Sequence, residues 1–243
     1  MIHRNSLVAI LVSLTLLSAA RCGAQSAPTT APSQQITAPP LSGPLGTPIE
    51  LFNGKDLTGW TWVQRAPKAG SPTTQPSPID AIWSVHDGLL HDKGRPIGYI
   101  RTTTEYDNYV LTVEQLHVNK GNGGVLFAMT GPDKVWPHCI EAQSLNGEEG
   151  DFRNVAEFKM TMDSSRLEPK RLRRIGPDPE KPVGQWETFV ITVDHGNLTL
   201  TINGSLQNIA THTQSLNGRI GLQAEGGTIE YRKVELTPIL AGK

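Results

Sequence analysis

Residues 186–210 read WETFVITVDHGNLTLTINGSLQNIA, and this stretch decides the fold. Asn203-Gly204 separates NLTLTI from SLQNIA, and His195-Gly196 separates WETFVITVD from NLTLTI. Such pairs tolerate the positive φ angles of a tight two-residue turn, so the three runs form successive antiparallel hairpins. Asp87-Gly88 repeats the signal between AIWSV and LLHD. Other runs with strand character are GYIRT (98–102), YVLTVEQLHV (109–118), GVLFAM (124–129), PHCIEAQS (137–144), VAEFKMT (155–161), GRIGLQAE (218–225) and TIEYRKVEL (228–236). No window carries a helical period, and no repeat of fixed length stands out. Many short strands punctuated by turns specify an all-β fold, a sandwich of two antiparallel sheets.

Composition agrees. The 243 residues include 24 Gly and 18 Pro, both helix interrupters, which argues against a helical bundle. Lys and Arg total 22 against 23 Asp and Glu, for a formal net charge of −1. A chain so balanced has no polyanion-binding surplus, and no nucleic-acid partner is expected.

Residues 1–24 have the layout of a secretory signal peptide. His3 and Arg4 precede an apolar run from Leu7 to Leu17, and Cys22-Gly23-Ala24 supplies small residues for cleavage. The run is too short for a membrane span, so no transmembrane segment is expected after removal. Export to the periplasm or beyond the cell follows. The alternative is a lipoprotein anchored through Cys22, although Arg21 stands where such signals carry a small residue. Removal takes two arginines and no acid, leaving 20 bases against 23 acids, a net charge of −3. It also leaves Cys139 as the one cysteine, which reads as a small strand residue rather than a thiol nucleophile.

Residues 25–48 hold six prolines, seven Ser/Thr and no charge, the composition of a disordered linker. The sandwich domain is expected at 49–238, with a short tail at 239–243. Two Pro-rich loops interrupt it, at 65–79 and 163–184. The second carries Arg166, Lys170, Arg171, Arg173, Arg174 and Lys181 among Asp163, Glu168, Asp178 and Glu180, and reads as a solvated loop.

Alternation sorts the strand side chains by face. Ile140 and Ala142 oppose Cys139, Glu141 and Gln143. Ile220, Leu222 and Ala224 oppose Gly221, Gln223 and Glu225. Tyr109, Leu111 and Val113 oppose Val110, Thr112 and Glu114. Three strands therefore place a carboxylate off the core. If they are neighbours in one sheet, they form a polar groove suited to sugar hydroxyls, which both donate and accept hydrogen bonds. The alternative is the wet side of an antiparallel sheet.

LFNGKDLTGW (51–60), WSVHDGLL (83–90), the strand around Glu114, NGGVLF (122–127), IEAQ (140–143) and GRIGLQAEGGTIEYRKVEL (218–236) occur in that order. Over residues 48–238 this pattern resembles the 3-keto-disaccharide hydrolase family of exported bacterial proteins. The resemblance implies a concanavalin A-like jelly roll. It also implies cleavage of glycosides already oxidised to a ketone at C3, a ketone that an oxidase partner would supply. The ketone acidifies the C2 proton. A base removes it, the C1 substituent leaves, and water adds to the resulting enone. Such a site needs a base, an acid and a donor facing the enolate oxygen.

On the matching positions, Glu141 is expected as the base and Glu225 as the acid or a substrate ligand. Gln143 and Gln223 are expected to bind hydroxyls, and Glu114 matches a further polar strand position. Arg101, His138, Lys159 and Arg232 are candidates for enolate stabilisation, and Trp136 is the tryptophan placed for sugar stacking. The sequence shows no cofactor requirement. A divalent metal on Glu114, His138, Glu141 and Glu225 is chemically possible, but no HxH or HExxH spacing supports it. Three departures from the family pattern are Ala128 after the NGG turn, Leu116 where a base is frequent, and Gln185-Trp186-Glu187 in place of Trp-Asn. The rival reading is a non-catalytic, lectin-like carbohydrate-binding module.

Overall fold

A computed structural model of the chain describes residues 36–67, 70, 75–155, 158–214 and 217–242. The expected signal peptide, Cys22 and linker residues 25–35 lie outside the described residues. From Ile49 onward the strands run β1 Ile49–Glu50, β2 Trp60–Gln64, β3 Trp83–His86, β4 Leu89–Asp92, β5 Gly98–Thr102, β6 Tyr109–His117, β7 Gly123–Thr130 and β8 His138–Gln143. They continue as β9 Phe152–Asn154, β10 Leu167–Glu168, β11 Arg171–Leu172, β12 Trp186–Asp194, β13 Asn197–Ile202, β14 Ser205–Ala210, β15 Arg219–Ala224 and β16 Ile229–Pro238. Two 3₁₀ turns, Ile79–Ala81 and Ser164–Arg166, are the helical elements among the described residues. No described helix is long and apolar enough to cross a membrane.

The strands form two antiparallel sheets. One runs β14-β13-β12-β6-β16-β4-β3, with β1 added on β16; the other runs β10-β11-β9-β8-β7-β15-β5-β2. Each hairpin read from a dipeptide is present. Asp87, His195 and Asn203 have φ of 54°, 47° and 50°, and the glycine after each is also positive. That double positive φ is the turn whose twist matches the flanking strands.

The core lies between the sheets. Tyr109, Leu111 and Val113 of β6 and Phe189, Ile191 and Val193 of β12 meet Val125, Phe127, Ile140, Ala142, Ile220, Leu222 and Ala224 from the second sheet. Those from β6, β8 and β15 are the inward positions that alternation assigned. The second sheet also carries a small apolar cluster on its outer face, made by Tyr99, Leu126, Met129 and Cys139. Cys139 is a buried free thiol within it.

Two local expectations change, and two strands, β9 and β2, were not singled out from sequence. VAEFKMT forms no strand among its described residues, where only Thr161 bridges to Thr211. The ladder partner of β8 is instead the preceding triplet Phe152–Asn154. The segment read as the solvated loop 163–184 contributes β10 and β11, which extend the same sheet beyond β9. TWVQ, not singled out from sequence, supplies most of the edge strand β2.

The last part of the expected linker is docked rather than free. Leu45 bridges Ile239, Gly46 N donates to Pro238 O at 2.8 Å, and Leu240 N donates to Pro44 O at 2.9 Å. The Ser42 N and Oγ both donate to the Asp194 carboxylate, at 2.7 and 2.5 Å. Linker and tail thus meet on the domain.

Candidate active site

Register brings the polar outer positions of the second sheet into two adjacent rows. Arg171, Arg153, Glu141, Leu126, Gly221 and Arg101 stand opposite one another across β11-β9-β8-β7-β15-β5. In the next row Gln143, Gly124, Gln223 and Tyr99 are opposed. Glu225 follows Gln223 by two residues and so takes the same face. A cavity of about 440 Å³ opens over these rows, lined by Asn122, Trp136, Glu141, Gln143, Arg153, Val155, Lys170 and Glu225.

Glycine creates the room. A Cβ on Gly124 would lie 2.6 Å from Glu141 Oε1 and 3.0 Å from its Cγ. The carboxyl therefore lies across bare backbone, which explains the value of glycine at the start of β7. Asn122 Nδ2 donates to Glu225 Oε2 at 2.5 Å, fixing the second carboxyl.

Several cavity groups lack internal partners. Glu141 Oε1, Asn122 Oδ1 and Arg153 Nε, together with the neighbouring Gln223 Oε1, are buried without a hydrogen-bond partner. Buried polar atoms are normally satisfied, so a cluster of orphans at one cavity marks a place for a polar ligand.

The two carboxyls differ in environment. Burial, with Glu225 as a like-charged neighbour, pushes Glu141 up to about 8, against a smaller opposing pull from Arg153. Burial also raises Glu225, but Arg65, Arg153 and Arg95 all pull it down. Glu141 therefore holds its proton at neutral pH, while for Glu225 three arginines oppose the upward push of burial.

Of the residues expected from sequence, Glu141, Gln143, Gln223, Glu225 and Trp136 are brought together. Trp136 is 40% exposed and lies beneath the Arg65 guanidinium, 5.4 Å from the ring centre. Arg101 shares the sheet face but does not line the cavity. It donates twice to the Asp133 carboxylate, at 2.6 Å each, while Tyr99 Oη donates to Lys134 O at 3.0 Å. Together they anchor the loop that presents Trp136.

Four expected residues lie elsewhere. Glu114 is on β6 in the other sheet, where it pairs with Arg232. Arg232 in turn covers Trp186, 4.5 Å from the ring centre. Alternation had found the correct face of β6, but the strand belongs to the wrong layer. His138 alternates onto the Ile140 side, accepts or donates at Thr130 Oγ1 over 2.6 Å, and stacks on the core residue Phe158. Lys159 is exposed and outside the cavity lining. The metal set imagined from Glu114, His138, Glu141 and Glu225 is thus split between two sheets and two faces. Two departures from the family pattern are equally remote, since Leu116 and Trp186 face each other across β6 and β12. Ala128 is buried at a β-bulge with φ of 51°.

Sequence reasoning missed Asn122, Arg153, Lys170, Arg65 and Arg95. Arg153 had a signal of sorts, two residues before the polar–apolar stretch mistaken for a strand. Arg65 and Arg95 come from flanking segments with no periodicity.

A two-sheet jelly roll with a polar, carboxylate-bearing cleft on one sheet defines the class as a carbohydrate-active jelly-roll protein. The chain belongs to the family of 3-keto-alpha-glucoside-1,2-lyase-like domains, which residues 47–237 match. No curated protein matches it in sequence. Among solved structures it is similar to a protein of Parabacteroides distasonis ATCC 8503 provisionally assigned as a glycosyl hydrolase, at 16% identity and TM-score 0.57, covering 80% of this chain and 100% of that one. It is also similar to a Bacillus licheniformis β-glucanase, at 15% identity and TM-score 0.53, covering 80% of this chain and 99% of that one. At such identities the likeness concerns the fold, which is of the glycoside hydrolase type.

Proposed function

We propose that the domain cleaves 3-keto-glycosides by elimination across C1 and C2, with Glu225 as base and Glu141 as acid. The observation that carries this reading is a carboxyl pair in one cavity, with Glu141 buried and raised to about 8 and Glu225 less buried, its rise opposed by three arginines. Two carboxyls driven apart in this way divide naturally into an acid and a base. The roles are the reverse of those expected from sequence, where strand alternation carries no information on how deeply each carboxyl is buried.

In the first step the C2–H electrons form the enolate as Glu225 takes the proton. The C1–O bond then breaks, C1=C2 forms, and Glu141 protonates the departing oxygen. Arg153, opposite Glu141 on the neighbouring strand, supplies positive charge for the enolate oxygen. Water then adds to C1, giving its proton to Glu141, while Glu225 returns a proton to C2; both carboxyls end as they began. Gln143 and Gln223 bind hydroxyls, and Trp136 stacks on a sugar ring at the mouth. The family's name, which specifies a 1,2-lyase acting on 3-keto-α-glucosides, supports the elimination step. The signal-peptide layout expected at residues 1–24 supports export, which would put this chemistry outside the cytoplasm.

The test is turnover of 3-keto-trehalose and 3-keto-maltose beside the unoxidised sugars. The expected result is cleavage of the ketones alone, with Glu141→Gln and Glu225→Gln each lowering kcat at least about 100-fold. Cleavage of unoxidised disaccharides would instead indicate ordinary glycosidase chemistry. Sugar binding without any turnover would assign the domain as a carbohydrate-binding module.

A further inference from the structure

A second polar cluster lies between β6, β12 and the loop joining β8 to β9. His117 ends β6, Glu187 is the second residue of β12, and Glu149 sits in the 144–151 loop. All three are buried, with Glu149 at 0%, Glu187 at 2% and His117 at 4% exposure. One potential ligand atom from each lies within 4.8 Å of the others. His117 Nε2 is 3.6 Å from Glu149 Oε1 and 2.8 Å from Ser144 Oγ.

The cluster is under-satisfied. Neither carboxylate oxygen of Glu149 has a hydrogen-bond partner, nor does Glu187 Oε2. Among the described residues no Lys or Arg side chain pairs with either carboxylate; Lys181 directs its Nζ to Trp186 O instead. Glu180 and Asp178 add negative potential from nearby. Two buried carboxyls and an imidazole, without a cationic side chain, are the donors of a metal centre rather than of a salt bridge.

We propose that His117, Glu149 and Glu187 bind a first-row divalent transition cation such as Zn²⁺ or Mn²⁺. The imidazole nitrogen favours these over Mg²⁺ and Ca²⁺, which take oxygen ligands. The three donors come from three separate elements, so the ion acts as a cross-link. It pins the 144–151 loop, whose Glu148 accepts from Arg153 at 2.7 Å and from Arg171 at 3.0 Å. The ion thereby positions Arg153 without touching the cavity. The metal site itself does not rest on the sugar chemistry proposed above, although it would reach that chemistry through Arg153.

The experiment uses the full chain purified without a polyhistidine tag. Metal content is measured by mass spectrometry, followed by chelator treatment, calorimetric titration with Zn²⁺ and Mn²⁺, and thermal unfolding. The expected result is about one bound equivalent, with chelation lowering Tm by about 5 °C or more and the added metal restoring it. Glu149→Gln and Glu187→Gln should each weaken binding at least about 10-fold. The wild-type titration stands even if a variant fails to fold. Failure of wild-type protein to bind either cation, binding of Ca²⁺ alone, or unchanged binding in both variants would overturn the site. In the first case the cluster is a carboxyl pair sharing a proton, and Glu149→Gln should leave Tm unchanged or raised.

Discussion

Glu141 is the proposed acid, and its burial has a consequence for stability that does not depend on any substrate. Its carboxyl is raised from an ordinary 4.5 to about 8 in the folded chain. Folded protein thus holds this proton more tightly than unfolded protein. Below pH 4.5 both states are protonated and the group is neutral to stability. Between pH 4.5 and 8 the unfolded chain releases the proton first, so stability falls with rising pH, and above 8 the full penalty is present. Glu141→Gln lacks that titration. The variant should gain on wild type across this window, by up to about 5 kcal/mol in urea unfolding at pH 8.5, and match it near pH 4. A constant difference across pH would show that Glu141 titrates normally. Alternation made Glu141, Gln143, Gln223 and Glu225 legible as one face, because a two-residue period follows directly from strand geometry. It failed for Glu114 because periodicity reports the face of a strand and says nothing of which sheet holds it.

At the level of elements, the sequence hid the strands that complete the site. β10 and β11 are two residues each and densely charged, so they carry too little apolar pattern to register. The one arginine in them, Arg171, is neutralised by Glu148 and Asp151 from a distant loop, with its Nε donating to Asp151 Oδ2 at 2.5 Å. Local reading saw only the mixed charges and inferred solvent. Hairpins with Asn-Gly, Asp-Gly and His-Gly turns were legible because two adjacent residues determine them. The 131–137 loop is a further element set by distant contacts, through Arg101 to Asp133 and Tyr99 to Lys134. Arg101→Ala removes a bidentate pair that holds Trp136 at the cavity mouth. It should raise KM for a 3-keto-glycoside about 10-fold while lowering kcat far less, and shift Trp136 emission toward that of a solvated indole. An equal loss in kcat with unchanged KM would place Arg101 in the chemistry instead.

For the whole molecule, the domain extends beyond the sandwich proper. Residues 42–46 run along the C-terminal segment 238–240 and cap Asp194 through Ser42. Composition marked this segment as a tether, since no short-range signal distinguishes a docked proline-rich stretch from a free one. Comparison of a chain beginning at residue 37 with one beginning at residue 49 tests the docking. Loss of these hydrogen bonds, at about 1 kcal/mol each in part, should lower Tm by about 4–8 °C and leave turnover unchanged. Equal Tm values would return the segment to the role of a spacer.

The central claim is that the glycosidic bond is lost through removal of the C2 proton. It is tested most directly by the kinetic isotope effect on kcat/KM for a 3-keto-glucoside deuterated at C2. Proton abstraction by Glu225 predicts a primary effect well above unity that vanishes from the residual rate of Glu225→Gln. An effect of unity in wild-type protein, with turnover intact, would contradict the elimination route and leave direct displacement at C1.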